Sequence, residues 1–209
     1  MPLLEKSALR RELRRTRSRL TKQERRTAEQ SANHRLKPLA KRGKNIGVYW
    51  PMGSELRLDG FVQTALKRGA RLYLPYIEPR SLRLWFTPFP TGNANAERKR
   101  STSKLHIPQF AGRKIRAHRL HILIIPLVGI DRQGFRLGQG GGYYDVSLAA
   151  LKGRLKPKLI GAGFACQLTD SLPHEVHDMQ LDGFICENGT LRFKKVQTAS
   201  FSEPGSRTE

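Results

Sequence analysis

The stretch most suggestive of chemistry is Arg136-Leu137-Gly138-Gln139-Gly140-Gly141-Gly142-Tyr143-Tyr144-Asp145. It follows a continuous apolar run and precedes a helix-forming segment, so it reads as a loop between a strand and a helix. There, backbone N–H groups without side-chain obstruction can converge on an anion, and the start of a helix adds partial positive charge. Gly138, Gly140, Gly141 and Gly142 permit positive φ and the close approach of a ligand. Arg136 can add a charge-assisted contact to a phosphoryl oxygen. Glycines alone also suit a mobile surface turn, but the flanking Arg and Tyr-Tyr-Asp make the pattern more specific. No Gly-Lys-Ser/Thr follows, so this is not the P-loop. Asp145, in the first helical turn, either complements the helix dipole or supplies an oxygen ligand to Mg²⁺; the residues themselves leave both readings open. Tyr143 and Tyr144 are expected to divide between core packing and stacking on a flat ring.

Two further groups could take part. Lys6 and Arg10 are four residues apart, so on a helix they share a face and could reach one phosphate chain. In so basic a region a solvated face explains them without any ligand. His174 and His177 stand beside Asp178, which invites a metal reading. The spacing His174-Glu175-Val176-His177 is not the His-Glu-x-x-His in which i,i+4 histidines share a helix face, and Pro173 argues against a helix entering there. The histidines read instead as loop structure that aims Asp178.

The elements that must position these residues alternate. Residues 5–19 lack Gly and Pro, and Leu9, Leu13 and Leu20 form a thin apolar stripe, so a mostly solvated helix is predicted. Thr21-Lys22-Gln23-Glu24 has the form of a capping box opening a second helix, which Pro38 and Gly43 limit. Strands are predicted at 45–50, 71–76 and 82–86, with a helix at 57–68 ending at Gly69. Residues 90–104 are polar and read as a loop. The run at 121–126 is apolar throughout, as in a strand buried on both faces. A helix at about 144–151, a buried strand at 158–165 and short strands at 181–186 and 191–193 around Asn188-Gly189 complete the pattern. Alternating strands and helices imply an α/β, three-layer domain: a mainly parallel sheet with helices on both faces and basic helices at the N-terminus. We expect a single domain over residues 1–193 and a disordered tail over 194–209.

Composition narrows the partners. In 209 residues, 39 Lys and Arg stand against 17 Asp and Glu, a formal net charge of +22. Residues 5–42 alone hold 14 basic and 4 acidic residues, and residues 98–119 hold eight basic and no acidic ones. Such a balance concentrates polyanions: nucleic acid, nucleotides or polyglutamylated small molecules. Only 8% of residues are aromatic, and the basic stretches lack the interleaved rings that stack bases. Cys166 and Cys186 form neither a C-x-x-C pair nor a zinc spacing, and are expected to be small buried residues. No apolar run approaches the ~20 residues of a membrane span, and the first residues lack the apolar length of a signal peptide. A cytoplasmic protein without membrane association is expected.

The segment 136–145, preceded by Ile124-Ile125-Pro126-Leu127-Val128-Gly129-Ile130-Asp131, resembles the signature of the 5-formyltetrahydrofolate cyclo-ligase (methenyltetrahydrofolate synthetase) family. The likeness extends over roughly residues 5–193. It includes Lys6-Ser7-Ala8-Leu9-Arg10, Ser54-Glu55 and Leu172-Pro173-His174-Glu175-Val176-His177-Asp178, in the family's order. The resemblance implies an ATP- and Mg²⁺-dependent conversion of 5-formyltetrahydrofolate to 5,10-methenyltetrahydrofolate, with release of ADP and phosphate, through a phosphorylated formyl group. It further implies that Lys6 and Arg10 meet the ATP phosphates. Arg136 and the loop Gly138, Gln139, Gly140, Gly141, Gly142, Tyr143 and Tyr144 would form a shared ATP and folate cradle. Glu55 would meet the folate beside Trp50, and Asp145 and Asp178 would hold magnesium. Two positions depart from relatives. Gly141 stands where many have lysine, so a phosphate contact must come from Arg136, Lys6 or Arg10. Leu105-His106 stands where some place an aromatic residue, leaving Trp50, Tyr143 and Phe135 as partners for the pterin. The expected partner is 5-formyltetrahydrofolate, with or without a polyglutamate tail, bound by a monomer. The competing reading is a basic nucleic-acid-binding protein on an inactive α/β scaffold, and nucleic acid is kept as a secondary partner.

Overall fold

The fold was followed in a computed structural model, which describes residues 2–92, 98–100, 107–151, 156–175 and 178–194. Two basic helices lead, α1 (Pro2–Ser18) and α2 (Lys22–Leu36). Thr21 caps α2 as its sequence predicts: its N–H donates to Glu24 Oε2 at 2.7 Å, and the Glu24 N–H donates back to Thr21 Oγ1 at 3.2 Å. There follow β1 (Asn45–Gly47), α3 (Asp59–Lys67), β2 (Arg71–Tyr76), β3 (Trp85–Pro88), β4 (Arg98–Arg100) and β5 (Ile107–Gln109). The chain continues through β6 (Ile122–Pro126), β7 (Gly129–Asp131), β8 (Arg136–Leu137), α4 (Tyr143–Ala149) and β9 (Lys158–Ala162). It closes with β10 (Leu168–Thr169), β11 (Gly183–Cys186) and β12 (Gly189–Arg192).

Seven strands form the main sheet in the order β12-β11-β9-β6-β1-β2-β3. The inner five are parallel, and β3 and β12 close the edges antiparallel. Side chains alternate between two cores, as the two-residue period of a strand requires. Ile46, Leu72, Leu74, Ile124, Ile160 and Ile185 meet Ala28, Ala32 and Leu36 of α2 and Phe61 and Ala65 of α3. On the other face, Leu123, Ile125, Leu159 and Phe184 meet Leu148 at α4 and the adjoining Leu151. This is the α/β arrangement with a mainly parallel sheet that the sequence predicts.

A second, three-stranded sheet, β10-β7-β8, carries α1. Leu9 and Leu13, the thin stripe of α1, pack with Val128, Leu137 and Leu172. A Cβ on Gly129 would lie 2.5 Å from Leu13 Cδ1, so glycine lets α1 sit this close.

Five expectations need correction. The buried strand expected at 158–165 ends at Ala162, and the chain turns into a short helix at Ala165–Gln167. Of the polar stretch 90–104 expected as a loop, Arg98–Arg100 is a strand paired antiparallel with Ile107–Gln109; most of the remainder lies outside the described residues. The first strand ends at Gly47 rather than residue 50, because after the Val48 N–H bonds Tyr73 O at 2.8 Å the chain turns out of the sheet. The strand expected at 82–86 begins at Trp85, because Ser147 Oγ takes the Leu84 N–H at 2.7 Å. The strands β7, β8 and β10 were not anticipated, being too short to carry a period. The expected tail falls outside the described residues beyond residue 194.

Candidate active site

In the sheet, β1 leads through α3 to β2 on one side, while β6 leads through α4 to β9 on the other. At such a switch point neighbouring connections part, and a crevice opens at the carboxyl ends of the strands. A cavity of about 490 Å³ lies there. Lys6, Arg10, Trp50, Glu55, Arg136, Gly138, Gln139, Gly140, Gly141, Gly142, Tyr143, Tyr144, Asp145 and Asp178 all line it. The structure therefore gathers these candidates from four distant stretches of chain onto one surface.

Arg136 anchors the glycine loop. Its Nη2 donates to Asp145 Oδ1 at 2.7 Å, its Cζ lies 5.5 Å from the Tyr144 ring centroid, and its buried Nε has no hydrogen-bond partner among the described residues. A Cβ on Gly138 would lie 2.6 Å from Arg136 Nη1, so any side chain there would push the guanidinium aside. Gly140 (φ 99°) and Gly142 (φ 65°) take conformations unfavourable to residues with a Cβ. Gly142 is the N-cap of α4, and no side chain caps that helix. Burial pushes the Tyr144 hydroxyl pKa well up, with the Arg136 charge opposing.

Helix α1 supplies the cations. Lys6 is buried and its Nζ reaches Asp178 Oδ2 at 3.2 Å and Glu175 Oε1 at 3.3 Å. Burial works against the ammonium, but its bonds to Asp178 and Glu175 outweigh this and hold its pKa above the usual value. Arg10 Nε donates to Gly138 O at 2.9 Å. One turn further, Arg14 Nη2 donates to Gln139 Oε1 at 2.6 Å, and Gln139 Nε2 donates to Glu55 Oε1 at 2.7 Å. Glu55 is buried, with its second oxygen accepting from Met52 N–H at 3.0 Å. Burial raises its pKa; the bonds from Met52 and Gln139 and the charges of Arg17 and Arg14 limit the rise.

Several participants were not anticipated. Arg14 and Arg17 continue the face begun by Lys6 and Arg10. Arg17 is buried, donating to Ser54 Oγ at 3.0 Å and Leu127 O at 3.3 Å, and so fixes the turn that carries Glu55. Their helical spacing is a signal, but α1 is so rich in arginine that type alone cannot separate these from solvated neighbours. Glu175, which shares Lys6 with Asp178, was read only as part of a loop.

Among the pterin-stacking candidates, Trp50 and Tyr143 line the cavity, whereas Phe135 does not. Phe135 stacks on His174 at 3.7 Å between ring centroids. Trp50 is backed by Phe110 at 5.4 Å. His174 Nδ1 lies 3.1 Å from Leu172 O, and the Glu175 N–H holds Asp178 Oδ2 at 2.9 Å, which fits a loop that aims Asp178; His177 lies outside the described residues. Among the described residues there is no group of three or more His, Cys, Asp or Glu able to hold a metal, and no helix long and apolar enough to cross a membrane. Cys186 is buried, as expected, but Cys166 is only half-buried.

Comparison with known proteins gives the chain a family. A family model described as the 5-formyltetrahydrofolate cyclo-ligase family matches residues 3–187. The 5-formyltetrahydrofolate cyclo-ligase of Escherichia coli K12 is 32% identical over 67% of this chain and 76% of its own. That of Haemophilus influenzae is 29% identical over 83% of this chain and 92% of its own. The 5,10-methenyltetrahydrofolate synthetase of Mycoplasma pneumoniae superposes with a TM-score of 0.68 at 27% identity, covering 87% and 98% of the two chains. That of Aquifex aeolicus gives 0.73 at 23% identity over 95% and 97%, a likeness of fold. With the glycine loop, the α1 cations and the carboxylates on one cavity, and the match running through nearly all of the described chain, the protein belongs to the 5-formyltetrahydrofolate cyclo-ligase family.

Proposed function

We propose that this cyclo-ligase converts 5-formyltetrahydrofolate to 5,10-methenyltetrahydrofolate with consumption of ATP and the help of Mg²⁺. The observation that carries this is the unpartnered Nε of Arg136, buried at the wall of a cavity bounded by the glycine loop. A buried guanidinium nitrogen without a partner is costly, and a turn of the side chain toward the cavity would offer it to a phosphoryl oxygen. The formamide of the substrate is a poor electrophile; phosphorylation of its oxygen by ATP would activate it for attack by the neighbouring N10. Such a transfer needs positioning and charge neutralisation more than covalent help. That accords with a site of arginine, lysine and backbone N–H and, among the described residues, no cysteine or serine nucleophile.

The chain's own groups suit these tasks. Arg10 sits against the loop, with its Cζ 3.7 Å from where a Cβ of Gly140 would be. It can supply the phosphate contact that Gly141 cannot. Asp145 and Asp178 fit Mg²⁺, which takes one or two carboxylates and completes its shell with phosphates and water. Each is already matched by a cation, Arg136 and Lys6 respectively, so both can turn to a metal without leaving the cavity. Glu55, with its raised pKa, can orient the folate by hydrogen bonding or accept a proton as N10 attacks. Trp50 and Tyr143 offer flat faces for the pterin.

The test is to mix protein, 5-formyltetrahydrofolate, ATP and Mg²⁺ and to follow both the ultraviolet absorbance of the methenyl product and the release of phosphate. Product that forms in step with phosphate, and only with ATP and Mg²⁺ present, is the expected result. Product formed without ATP would overturn the phosphorylation step.

A further inference from the structure

The cavity absorbs only part of the chain's positive charge. Much of the rest gathers at the opposite, amino-terminal end of the sheet. Lys41, Arg42 and Lys44 lie in the loop entering β1, and all three are exposed. Hydrogen bonds tie this loop to its neighbours across the sheet. Gly43 N–H donates to Gly69 O, beside Lys67 and Arg68 at the end of α3, and Arg71 N–H donates to Lys44 O, both at 2.9 Å. Asn45 Nδ2 donates to Arg119 O at 2.9 Å. His121 N–H donates to Asn45 O, and Lys158 N–H to His121 O, again at 2.9 Å. The cations therefore follow one another across β2, β1, β6 and β9 at the ~4.8 Å step between strands.

Arg68, Arg71, Arg119 and Lys158 are exposed as well. Among the described residues none of these side chains is in an ion pair. Arg68 and Arg71 spend one N–H each on Lys37 O and Gly43 O, which steadies the fork and leaves other donors facing out. The carboxylate that hydrogen bonds place at this end is Asp182, which accepts from the Leu159 N–H at 2.7 Å.

We propose that the amino-terminal end of the sheet, from Arg68 and Arg71 across Lys41, Arg42 and Lys44 to Arg119 and Lys158, is a docking surface for the phosphodiester backbone of nucleic acid. Four of these seven residues are arginines, whose planar donors match phosphate oxygens in pairs. Among the described residues no Phe, Tyr or Trp is exposed in the row, whose one exposed ring is the His121 imidazole, so recognition is chiefly of phosphate rather than base, and is independent of sequence. An anionic membrane fits less well. Folded proteins that adhere to one also insert apolar side chains, and here, among the described residues, Leu66 stands alone as an exposed large apolar residue near the row. The surface lies across the sheet from the cavity, so binding here and turnover there are separable.

The test is fluorescence anisotropy of a labelled, mixed-sequence oligoribonucleotide with the full chain over a range of salt. Binding at about 10 µM or tighter in low salt, weakening with a log–log slope of about −3, is expected for four neutralised phosphates on a single strand. The same sequence as single-stranded DNA is expected to bind comparably. Lys41→Gln, Lys44→Gln, Lys67→Gln and Arg119→Gln together are expected to weaken binding by about thirtyfold or more and to flatten the slope. Cyclo-ligase turnover and thermal midpoint report that this variant is folded and should stay at wild-type values. The control moves the same charge elsewhere: Arg11, Arg15, Arg19 and Arg26 to Gln, on exposed faces of α1, the following turn and α2. It is expected to weaken binding by no more than about threefold through long-range charge. An equal loss in both variants, no wild-type binding in low salt, discrimination against DNA, or tighter binding to phosphatidylserine vesicles than to RNA would each overturn the assignment.

Discussion

The two ends of the parallel sheet use the same residue types in opposite ways. At the carboxyl end the cations are buried or half-buried and each is held, Lys6 by Asp178 and Glu175 and Arg136 by Asp145, while Arg10, Arg14 and Arg17 bond to neutral oxygens. At the amino end they are exposed and, among the described residues, in no ion pair. A buried charge must be paired or hydrogen-bonded to be tolerable, whereas an exposed one keeps its water and costs little. The carboxyl end is consequently a fixed arrangement in which moving one group disturbs several. The amino end is a set of separable charges whose effects add.

The sharpest break in this comparison is at Arg136. Arg136→Ala removes the orphaned Nε, the partner of Asp145 and the cation beside Tyr144. Turnover is expected to fall by about 10³-fold, and Asp145→Asn by at least about 10²-fold. Circular dichroism should report a retained fold. An active double variant would remove this cavity from consideration as the active site.

Gly138→Ala tests the same wiring without touching a charge. Its new Cβ, 2.6 Å from Arg136 Nη1, must displace the guanidinium by a fraction of an ångström to about an ångström. A shift of that size is expected to cost about 10²-fold in turnover while barely changing the thermal midpoint. A similar Ala substitution at Gly43, with open space around its Cβ position but φ of 74°, should cost about 1 kcal/mol of stability and no turnover. The two glycines thus separate close approach from backbone conformation.

Leu13→Ala loosens α1 from its seat over Gly129. Large-to-small changes at such positions cost about 3 kcal/mol, read as a lower denaturation midpoint. Because α1 also carries Lys6 and Arg10, the KM for ATP should rise more than that for the folate. Equal changes in both would mean that α1 does not serve the nucleotide side.

Parts of this arrangement were legible in the sequence for identifiable reasons. Thr21 and Glu24 satisfy each other locally, so the start of α2 could be read from four residues. The apolar run of β6 needs burial on both faces, and its neighbours on the sheet provide it. Other features depend on contacts between distant residues. Lys6 and Asp178 are 172 positions apart, and no local pattern announces their pairing. The burial of Arg17 among solvated arginines follows from where Ser54 and Leu127 arrive, not from α1 itself. β7, β8 and β10 span two or three residues each, shorter than any period can register, although they form the platform for α1. The strand order that creates the cavity is likewise a tertiary choice. The motif residues could be named in advance because they are chemically distinctive; the residues that hold them in place are ordinary.

The smallest expected effect concerns Glu55, the carboxylate of the site that depends most on neutral donors. Its pKa is raised by burial, so the folded state holds its proton more tightly than the unfolded chain does. By linkage, a raised pKa means that its stabilising contribution is complete below the ordinary value of 4.5 and is lost as pH rises through the folded value. Glu55→Gln removes that titration. The variant keeps an acceptor for the Met52 N–H but presents an amide to Gln139 Nε2, which costs it a hydrogen bond at every pH. The absolute difference from wild type therefore mixes two contributions, but its slope does not. Thermal midpoints measured from pH 4 to pH 8 should move in favour of the variant as pH rises, by a few degrees at most, and be level above the folded pKa. A difference that is flat with pH would mean that Glu55 is as well solvated in its ionised form as an exposed carboxylate, and that the buried end of the sheet tolerates charge as easily as the open one.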